Sequence, residues 1–558
     1  MQKTHFSTLS FIFAAFAGIA LTVATYAQTP QATGTPAGPT KAQLLRGEYG
    51  RYRANNDLIN YNLSVRIDPV AKTIKGTNTI KFKMLSDDNR IQLDLYDNLN
   101  VDKITIGSKT LKYTRELGTV YVDFPEKLKA GKVYSIDFAY SGTPKTTGRF
   151  GGFTFTTDPK DRPWIFTACE GEGASIWWPN KDTWHDEVEN MKLSVAIPSD
   201  LTDASNGRFL GKKDLGDGYT RWDWMINYPI NNYNVSVNIG KYEHFTDKYK
   251  DLTLDFYAQP EDLERAKTQF AQAKGMIEAF EHYFGEYPFK KDGYKLIQVP
   301  YSGMEHQSAV TYGNLFENGY LKRDWTGVGI SPKFDFIIIH ESGHEWFGNA
   351  VSAADRADMW IQEGWTTYLE CLFVEYTYGH DDYMKYTNAY IKKIQNRQPI
   401  IPQRGINATP PQDMYFKGAL FIHTLRSIVD DDKKWFAMMK DFYQKFKYHN
   451  IMTEDVEAFF SERMGRNMKA VFDQYLRRTA VPRLEVQVLD QTGRMSYRWK
   501  ADEPGFDMPV KVGTGTTWTM IYPTTKWKTM DTAVKLEDLK VASELFYVEF
   551  LKTEAQTD

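Results

Sequence analysis

The sequence has little cysteine and no excess of positive charge. Only Cys169 and Cys371 occur in 558 residues, so the chain has neither a disulfide framework nor the clustered thiolates of a cysteine zinc site. We interpret both as packing residues and leave open whether they are bridged. Lysine and arginine number 68 against 71 acidic residues and are spread along the chain, without the basic footprint that phosphate backbones require. Nucleic acid is therefore not an expected partner.

Long apolar runs are also scarce, and the single one stands at the beginning of the chain. Lys3 precedes an uncharged run over residues 9–24, and the Thr-Tyr-Ala of residues 25–27 offers small residues at the usual cleavage positions. This pattern predicts a signal peptide over residues 1–27, cut after Ala27. The alternative is an uncleaved membrane anchor, but the run is short for a spanning helix. Because no other such run exists, we expect an exported, soluble protein, periplasmic or secreted.

Residues 28–56 are predicted to be a linker, because Pro, Gly, Thr and Ala dominate their first part. From residue 57 the pattern changes to short runs in which apolar and polar residues alternate, the first over residues 61–67. No helical periodicity of useful length interrupts these runs. We therefore predict an N-terminal antiparallel β domain over residues 57–245.

The periodicity then becomes helical. Apolar residues recur at intervals of three and four over residues 263–284, which predicts a long amphipathic helix, and helical patterns dominate the rest of residues 246–482. Alternation returns in residues 483–558, which favours a small C-terminal β-sandwich. The predicted fold class is multidomain α+β, with a mainly helical domain between two β domains.

Histidine is scarce as well, yet two of the 10 histidines stand four residues apart, as His340 and His344. At that spacing they lie on one face of a helix and can hold one metal ion together. Glu363 follows after eighteen intervening residues, enough for a second helix to return a third ligand. Zinc suits two histidines and a glutamate, and keeps a fourth position for water. Glu341 is placed to take the proton of that water.

The residues before this motif argue against the simpler interpretation, two solvated histidines on a surface helix. The apolar run over residues 336–339 leads straight into His340, so we predict a buried helix. Ser331 is predicted as its N-cap and Pro332 as its first helical residue. A buried pair of histidines needs partners, and one zinc ion supplies them.

The motif of His340, Glu341, His344 and Glu363 resembles that of the gluzincin aminopeptidases, peptidase family M1, typified by aminopeptidase N and leukotriene hydrolase. The resemblance runs from about residue 57 to the C-terminus and implies a thermolysin-like catalytic domain between the two β domains. It also implies a zinc-dependent aminopeptidase that hydrolyses the N-terminal residue from peptides through a metal-activated water. Many members continue with a large helical C-terminal domain, so we expect a more open cleft here, or one closed by a partner or dimer.

Upstream of the zinc motif, residues 301–306 resemble the family's Gly-x-Met-Glu-Asn motif. The resemblance implies that Glu305 holds the free α-amine of the substrate. It also implies that the backbone of Gly303 and Met304 lines the path of the peptide. His306 stands where asparagine is usual in the family.

A second amine-binding carboxylate is implied by the family pattern in residues 166–173, which precede Trp-Trp-Pro at residues 177–179. By spacing, Glu170 is the better match and Glu172 the second candidate. The alternative is a solvated acidic loop. Two carboxylates around an ammonium group favour substrates with a free N-terminus, which turns a general peptidase site into an exopeptidase site.

Two further residues are implied downstream of the zinc motif. Tyr415 precedes a Lys-Gly pair after one spacer, as the transition-state tyrosine of the family does, so the resemblance assigns it to oxyanion stabilisation. Glu370 lies two helical turns after Glu363 and is a candidate for orienting a zinc-ligating histidine. A surface or packing role for Glu370 is equally consistent with the sequence.

Two other functions remain open on the sequence alone. A zinc endopeptidase uses the same metal chemistry and lacks only the amine pocket. A family relative that has lost catalysis and acts as a binding scaffold usually has broken ligands, whereas this chain keeps every residue of the zinc motif together with Glu305 and Tyr415.

Overall fold

The computed structural model describes residues 38–147, 151–489 and 493–554. The predicted signal peptide and residues 28–37 of the predicted linker lie outside these ranges. From Thr40 onward the chain forms one unit. No helix within the described ranges is both long and apolar enough to cross a membrane.

The later part of the predicted linker is folded. It contains helices α1 (Lys41–Gly47) and α2 (Arg51–Ala54). Arg53 is wholly buried, and its guanidinium contacts both carboxylate oxygens of Asp94 at 2.8 Å. The same guanidinium donates to two backbone carbonyls, so the buried charge is paired and hydrogen-bonded. The linker was predicted from the composition of its first part, which carries no information about this long-range ion pair.

The N-terminal β domain holds fifteen strands in its described residues. They are β1 (Asn56–Asp68), β2 (Thr73–Met84), β3 (Asp88–Asp94), β4 (Leu99–Ile106), β5 (Lys109–Thr110), β6 (Lys112–Glu116), β7 (Thr119–Leu128), β8 (Val133–Gly142), β9 (Gly152–Thr157), β10 (Pro163–Ala168), β11 (Asn190–Pro198), β12 (Thr202–Ser205), β13 (Arg208–Asp214), β14 (Tyr219–Ile226) and β15 (Val237–Gly240).

These strands form three sheets, with strand orders β13-β14-β11-β1-β2-β8-β4-β5, β12-β15-β10-β9 and β3-β7-β6. The predicted alternation is present in β1, where Leu63 and Val65 are buried and Ser64 between them is exposed. All pairings in the three sheets are antiparallel except β1 with β11. The prediction of a purely antiparallel domain is therefore wrong at this pair, where the long connection between the two strands permits parallel pairing.

The next sheet begins the predicted catalytic domain and has the strand order β16-β17-β18-β20-β19. Its strands are β16 (Glu243–Tyr249), β17 (Leu252–Ala258), β18 (Tyr294–Gln298), β19 (Gly303–Met304) and β20 (Val310–Tyr312). The boundary predicted at residue 245 falls inside β16. Helices α3 (Leu263–Phe270) and α4 (Gln272–Phe284) replace the single predicted helix, with a break at Ala271.

The remaining helices surround the metal motif. They are α5 (Phe336–Gly343), α6 (Trp360–Tyr378), α7 (His380–Ala389), α8 (Asp413–Val429), α9 (Asp432–Phe446), α10 (Thr453–Met464) and α11 (Lys469–Arg477). Two short strands, β21 (Val351–Ala353) and β22 (His449–Ile451), pair in parallel between them. Cys371 lies inside α6, and both cysteines are buried and unbridged.

The N-cap of α5 differs from the prediction. Ser331 and Pro332 belong to a separate 3-10 turn, and Asp335 caps α5 instead. One carboxylate oxygen of Asp335 accepts from the backbone amides of Ile337 and Ile338 at 3.0 and 3.2 Å. The residues of α5 are all buried, as predicted.

The C-terminal strands form two sheets, with orders β27-β24-β23-β29 and β26-β25-β28. Their bounds are β23 (Arg483–Leu489), β24 (Arg494–Lys500), β25 (Val510–Gly513), β26 (Trp518–Ile521), β27 (Lys528–Asp531), β28 (Lys540–Val541) and β29 (Glu549–Glu554). Trp499 from the first sheet is buried, and its indole donates to the carbonyl of Met508. The predicted order of a β domain, a helical domain and a small β domain is confirmed.

Candidate metal centre and active site

Three predicted ligands converge at the junction of α5 and α6. His340 lies on α5, His344 is the C-cap residue one turn further on, and Glu363 lies in the first turn of α6. Oε2 of Glu363 is 3.7 Å from Nε2 of His340 and 3.2 Å from Nε2 of His344. Ligand atoms held about 2.0–2.1 Å from a tetrahedral zinc lie about 3.3 Å apart, so these separations fit one ion.

One carboxylate oxygen of Glu363 faces the two histidines. Oε2 of Glu363 is buried and has no hydrogen-bond partner within the described residues. A buried carboxylate oxygen without a donor is costly unless a cation completes its environment. Both the donor set and this open oxygen therefore fit a zinc ion.

His340 is oriented from behind by Glu370. Nδ1 of His340 is 2.6 Å from Oε1 of Glu370, which leaves Nε2 directed at the metal position. The other oxygen of Glu370 accepts hydrogen bonds from Tyr386 at 3.0 Å and from Tyr390. Glu370 is thus buried and fully bonded, as in the orienting arrangement considered from the sequence and unlike a surface residue.

His344 is oriented by a backbone carbonyl. Its Nδ1 lies 3.0 Å from the oxygen of Phe347 and 3.1 Å from the hydroxyl of Thr366. Gly348 follows with a φ of 128°, and a Cβ there would stand 2.8 Å from Nδ1 of His344. Only glycine suits this backbone conformation beside the imidazole.

Tyr415 contacts the third ligand. Its hydroxyl donates to Oε1 of Glu363 at 2.8 Å, so the carboxylate has one oxygen bonded and the other open. Helix α8 reaches α6 closely because two glycines meet. A Cβ on Gly364 would lie 3.2 Å from Cα of Gly418. This approach places the predicted oxyanion tyrosine beside the metal ligands.

Glu341 stands between the metal position and the edge strand β19. Burial raises its pKa to about 7. A Cβ on Gly303 would lie 3.1 Å from Cγ of Glu341 and 2.7 Å from a methyl of Ile337, so the glycine lets the backbone lie against α5. The predicted path residues Gly303 and Met304 are therefore adjacent to the predicted base.

Glu305 follows β19 directly and belongs to the same site. Carboxylate oxygens of Glu305 and Glu341 lie within 4.8 Å of a ring nitrogen of His344 and of each other. Glu305 is only 4% exposed, and its Oε1 accepts from the hydroxyl of Tyr233 at 2.9 Å. Burial raises the pKa of Glu305, and the charge of Glu363 adds to this shift.

Glu170 enters from the β domain, two residues after β10. Its Oε1 is buried and has no hydrogen-bond partner in the described ranges. Burial, followed by the charges of Glu305 and Glu363, holds the pKa of Glu170 well above its usual value. The second candidate, Glu172, is engaged elsewhere, since its carboxylate accepts from Tyr96 at 2.8 Å.

Sequence reasoning missed two residues of this pocket, Tyr233 and Arg356. Arg356 is buried; its guanidinium donates to the backbone carbonyl of Glu170 and lies over the ring of Trp184. No local signal distinguishes Tyr233 among 34 tyrosines. His306, the departure from the family motif, is fully buried, and burial lowers its pKa to about 3, so it adds no charge beside Glu305.

Comparison of the sequence with models of known protein families establishes the family to which the chain belongs. The model of the peptidase family M1 domain matches residues 268–475, and that of the peptidase M1 N-terminal domain matches residues 58–233. Together the two matches span more than half of the chain. The chain belongs to peptidase family M1. The predicted family is thus confirmed, and zinc is the metal that the family implies.

Curated M1 relatives are longer than this chain. A leucyl aminopeptidase of Saccharolobus solfataricus is 23% identical over 428 residues, which are 73% of this chain and 52% of that protein. A probable aminopeptidase 2 of Sulfurisphaera tokodaii is 22% identical over 422 residues, which are 72% of this chain and 52% of the relative. The chain spans about half the length of these relatives.

Solved M1 structures share the fold. A mutant M1 zinc metallopeptidase from Deinococcus radiodurans matches with a TM-score of 0.65 and 18% identity, over 77% of this chain and 96% of that one. A mutant from the same organism bound to a Tyr-Ser-Ala substrate matches with a TM-score of 0.63 and 18% identity, over the same shares. At this identity the likeness establishes the fold of the M1 peptidases.

Proposed function

We propose that this M1 chain is a zinc aminopeptidase that uses one zinc ion to remove the N-terminal residue from peptides. The observation that carries the proposal is the position of Glu170 and Glu305. The carboxylate of Glu305 lies beside the ligand His344, and burial together with the charge of Glu305 raises the pKa of Glu170, which comes from the β domain. Oε1 of Glu170 is buried and lacks any partner in the described ranges. An ammonium group supplies the charge and the donors that this pocket lacks.

His340, His344 and Glu363 hold the zinc in this proposal. Zinc, when bound by these residues, would supply Lewis-acid polarisation of the scissile carbonyl and a more acidic water at neutral pH. Glu341 accepts a proton from the attacking water and gives it to the departing amine. Its raised pKa, about 7, suits both directions of this transfer.

Tyr415 stabilises the oxyanion. Burial, together with the nearby charge of Glu363, holds the pKa of Tyr415 well above its usual value, so the hydroxyl keeps its proton and can donate. Glu305 and Glu170 bind the α-amine one residue's length from the metal, and the backbone of Gly303 and Met304 lines the peptide. The aminopeptidase names of the relatives and the peptide bound to the related metallopeptidase support this class of substrate.

The test is a panel of aminoacyl fluorogenic substrates, assayed with and without a chelator. We expect turnover of free aminoacyl substrates, its loss on chelation and its return with one equivalent of zinc per chain. Acetylation of the substrate amine abolishes turnover if the two carboxylates select a free N-terminus. Equal cleavage of free and acetylated peptides would instead establish the endopeptidase alternative, and no turnover by the zinc-loaded protein would establish a binding scaffold.

We also propose that the protein is exported to the periplasm or secreted. The uncharged apolar run over residues 9–24 and the small residues before position 28 support export, and they lie outside the described residues. N-terminal sequencing of the mature protein tests this. A first residue at Gln28 is expected, and retention of Met1 in a cytoplasmic fraction contradicts it.

A further inference from the structure

The metal centre has two chemically different ends. Glu305 and Glu341 lie at the His344 end, within 4.8 Å of a ring nitrogen of that ligand. At the His340 end the ring of Phe336 stacks on the imidazole, with centroids 5.4 Å apart and planes 12° from parallel. If the substrate amine is held by Glu305 and the scissile carbonyl lies at the metal, the leaving portion of the peptide extends towards the His340 end.

That end is lined by aromatic rings. Trp325 lies 5.7 Å from Phe336 and 6.3 Å from Phe416, measured between ring centroids. Phe416 follows Tyr415 directly on α8, so it stands next to the tyrosine assigned to the oxyanion. We call Trp325, Phe336 and Phe416 the aromatic wall. Two ring contacts connect its outer member, Trp325, to the zinc ligand His340.

A single lysine lies against the outer part of the aromatic wall. Nζ of Lys393 is 3.5 Å from the ring centroid of Trp325 and 5.7 Å from that of Phe416. The side chain is half-buried, and its ammonium forms no ion pair with any carboxylate of the described ranges. Burial lowers the pKa of Lys393, and the charge of Glu370, the carboxylate behind His340, opposes this shift. Within the described ranges Lys393 is thus a cation without an ion-pair partner, beside the aromatic wall.

We propose that Lys393 binds the C-terminal carboxylate of short peptides, with the aromatic wall packing against the residue after the scissile bond. The favoured substrates are then di- and tripeptides with a free C-terminus and an apolar or aromatic residue next to the cleaved bond. The rings and the lysine follow one another outward from His340, so the residue after the scissile bond meets the aromatic wall before its terminal carboxylate meets Lys393. The inference rests on the proposed aminopeptidase function.

A purely structural role is the competing explanation for Lys393. An ammonium over an indole stabilises packing without any ligand. Such a role predicts that removal of the charge affects all substrates equally. Carboxylate recognition predicts an effect only on substrates that end in a free carboxylate, so a matched pair of peptides separates the two explanations.

The experiment compares Leu-Phe with Leu-Phe amide as substrates of the zinc-loaded enzyme. In the parent protein we expect kcat/KM for the free acid to exceed that for the amide about tenfold, because an ion pair shielded by aromatic rings is worth about one power of ten. Lys393→Met is expected to remove that preference while leaving hydrolysis of the amide within about twofold. Lys393→Glu is expected to reverse the preference. Lys392→Met, at the exposed neighbouring lysine, is the matched control and retains the parent ratio.

An unchanged ratio in Lys393→Met, or an equal loss for both peptides, overturns the proposal. Binding to the Glu341→Gln variant keeps this test independent of turnover. In that background Lys393→Met is expected to weaken the dissociation constant of Leu-Phe about tenfold, by calorimetry, and to leave that of the amide unchanged. If the parent protein hydrolyses neither peptide but the Glu341→Gln protein still discriminates them through Lys393, the aminopeptidase function fails and the carboxylate site stands. If neither peptide binds, the carboxylate site fails as well.

Discussion

The two halves of the site are built differently. On the metal side each ligand is held by a partner from the chain itself: Glu370 orients His340, Phe347 orients His344, and Tyr415 bonds Glu363. On the amine side Glu305 has one tyrosine partner, whereas within the described residues Glu170 is bonded through its backbone carbonyl and Oε1 of its carboxylate has no partner. The metal ligands are therefore oriented before any ligand binds, while the amine pocket is electrostatically incomplete.

The difference between the oriented metal ligands and the incomplete amine pocket explains why hydrolysis is directed to the N-terminal end of a peptide. Burial raises the pKa of both Glu170 and Glu305, and the charge of Glu363 adds to the shift of each. An ammonium group favours the charged form of both and lowers both pKa values on binding. A peptide bond in the middle of a chain brings no such charge and leaves the pocket unsatisfied. Selectivity for a free N-terminus thus follows from what the pocket lacks.

The largest loss of activity is expected for a substitution of Glu341, which lies between the metal ligands and the amine pocket. Glu341→Gln removes the proton acceptor and keeps the shape of the side chain. We expect kcat to fall about 10³-fold, within the range for loss of a general base. Zinc content and the dissociation constant for a dipeptide should stay close to the parent values, because neither half of the site is altered. Metal analysis, calorimetry and steady-state kinetics measure the three quantities. Activity equal to that of the parent contradicts the assignment of the base.

Glu305→Gln removes one of the two carboxylates that bind the substrate amine. Loss of one partner of a buried charge pair costs about 3 kcal/mol, so we expect kcat/KM for aminoacyl substrates to fall about 100-fold, chiefly through KM. Glu170→Gln is expected to have a smaller effect of the same kind. The zinc affinity of both variants should remain that of the parent.

Glu172→Gln is the matched control for the amine half, since it alters a carboxylate two residues from Glu170 that bonds Tyr96 instead. It should leave KM unchanged. If Glu305→Gln lowers zinc affinity and leaves KM alone, Glu305 belongs to the metal half, and the division of the site drawn above is wrong.

Glu370→Gln is expected to weaken zinc binding. The amide cannot hold His340 as the carboxylate does, so we expect zinc affinity to fall about 30-fold, as is usual when the partner of a ligating histidine is changed. At saturating zinc the KM for dipeptides should match that of the parent. Competition with a fluorescent zinc chelator measures the affinity. Glu375→Gln, which alters a carboxylate on the same helix that pairs with Arg426, is the control and should retain the parent affinity.

The residues of the site that lie close together in the sequence can be predicted from the sequence. His340, Glu341 and His344 lie within one turn of a helix, and Glu363 is a fixed distance away, so spacing alone specified the metal cluster. Glu305 and Tyr415 came from family motifs, and the structure brings both to the cluster. The order of the β and helical parts followed from the change of apolar period along the chain.

The rest depended on tertiary contacts. Ser331 and Asp335 are both good N-cap residues, and the structure selects Asp335 because its second oxygen is fixed by Tyr312 and Gln269. The parallel pairing of β1 with β11 joins strands distant in sequence. Arg356 likewise reaches Glu170 across 186 positions of sequence. Contacts between residues so distant in the sequence produce neither a hydrophobic period nor a local motif.

The smallest change in KM is expected at Tyr233, which within the described residues is the one hydrogen-bond donor to a carboxylate of the amine half. Tyr233→Phe removes a buried hydrogen bond to Glu305, worth about 1 kcal/mol, and keeps the ring that packs on Trp184. We expect KM for aminoacyl substrates to rise about fivefold, with kcat and zinc affinity unchanged. Tyr228→Phe, whose hydroxyl accepts only from the backbone of Lys291 among the described residues, is the control and should have no kinetic effect. A rise in KM confined to Tyr233→Phe shows that orientation of Glu305 contributes to amine binding. An unchanged KM means that charge alone does so, and the amine half then has no oriented member at all.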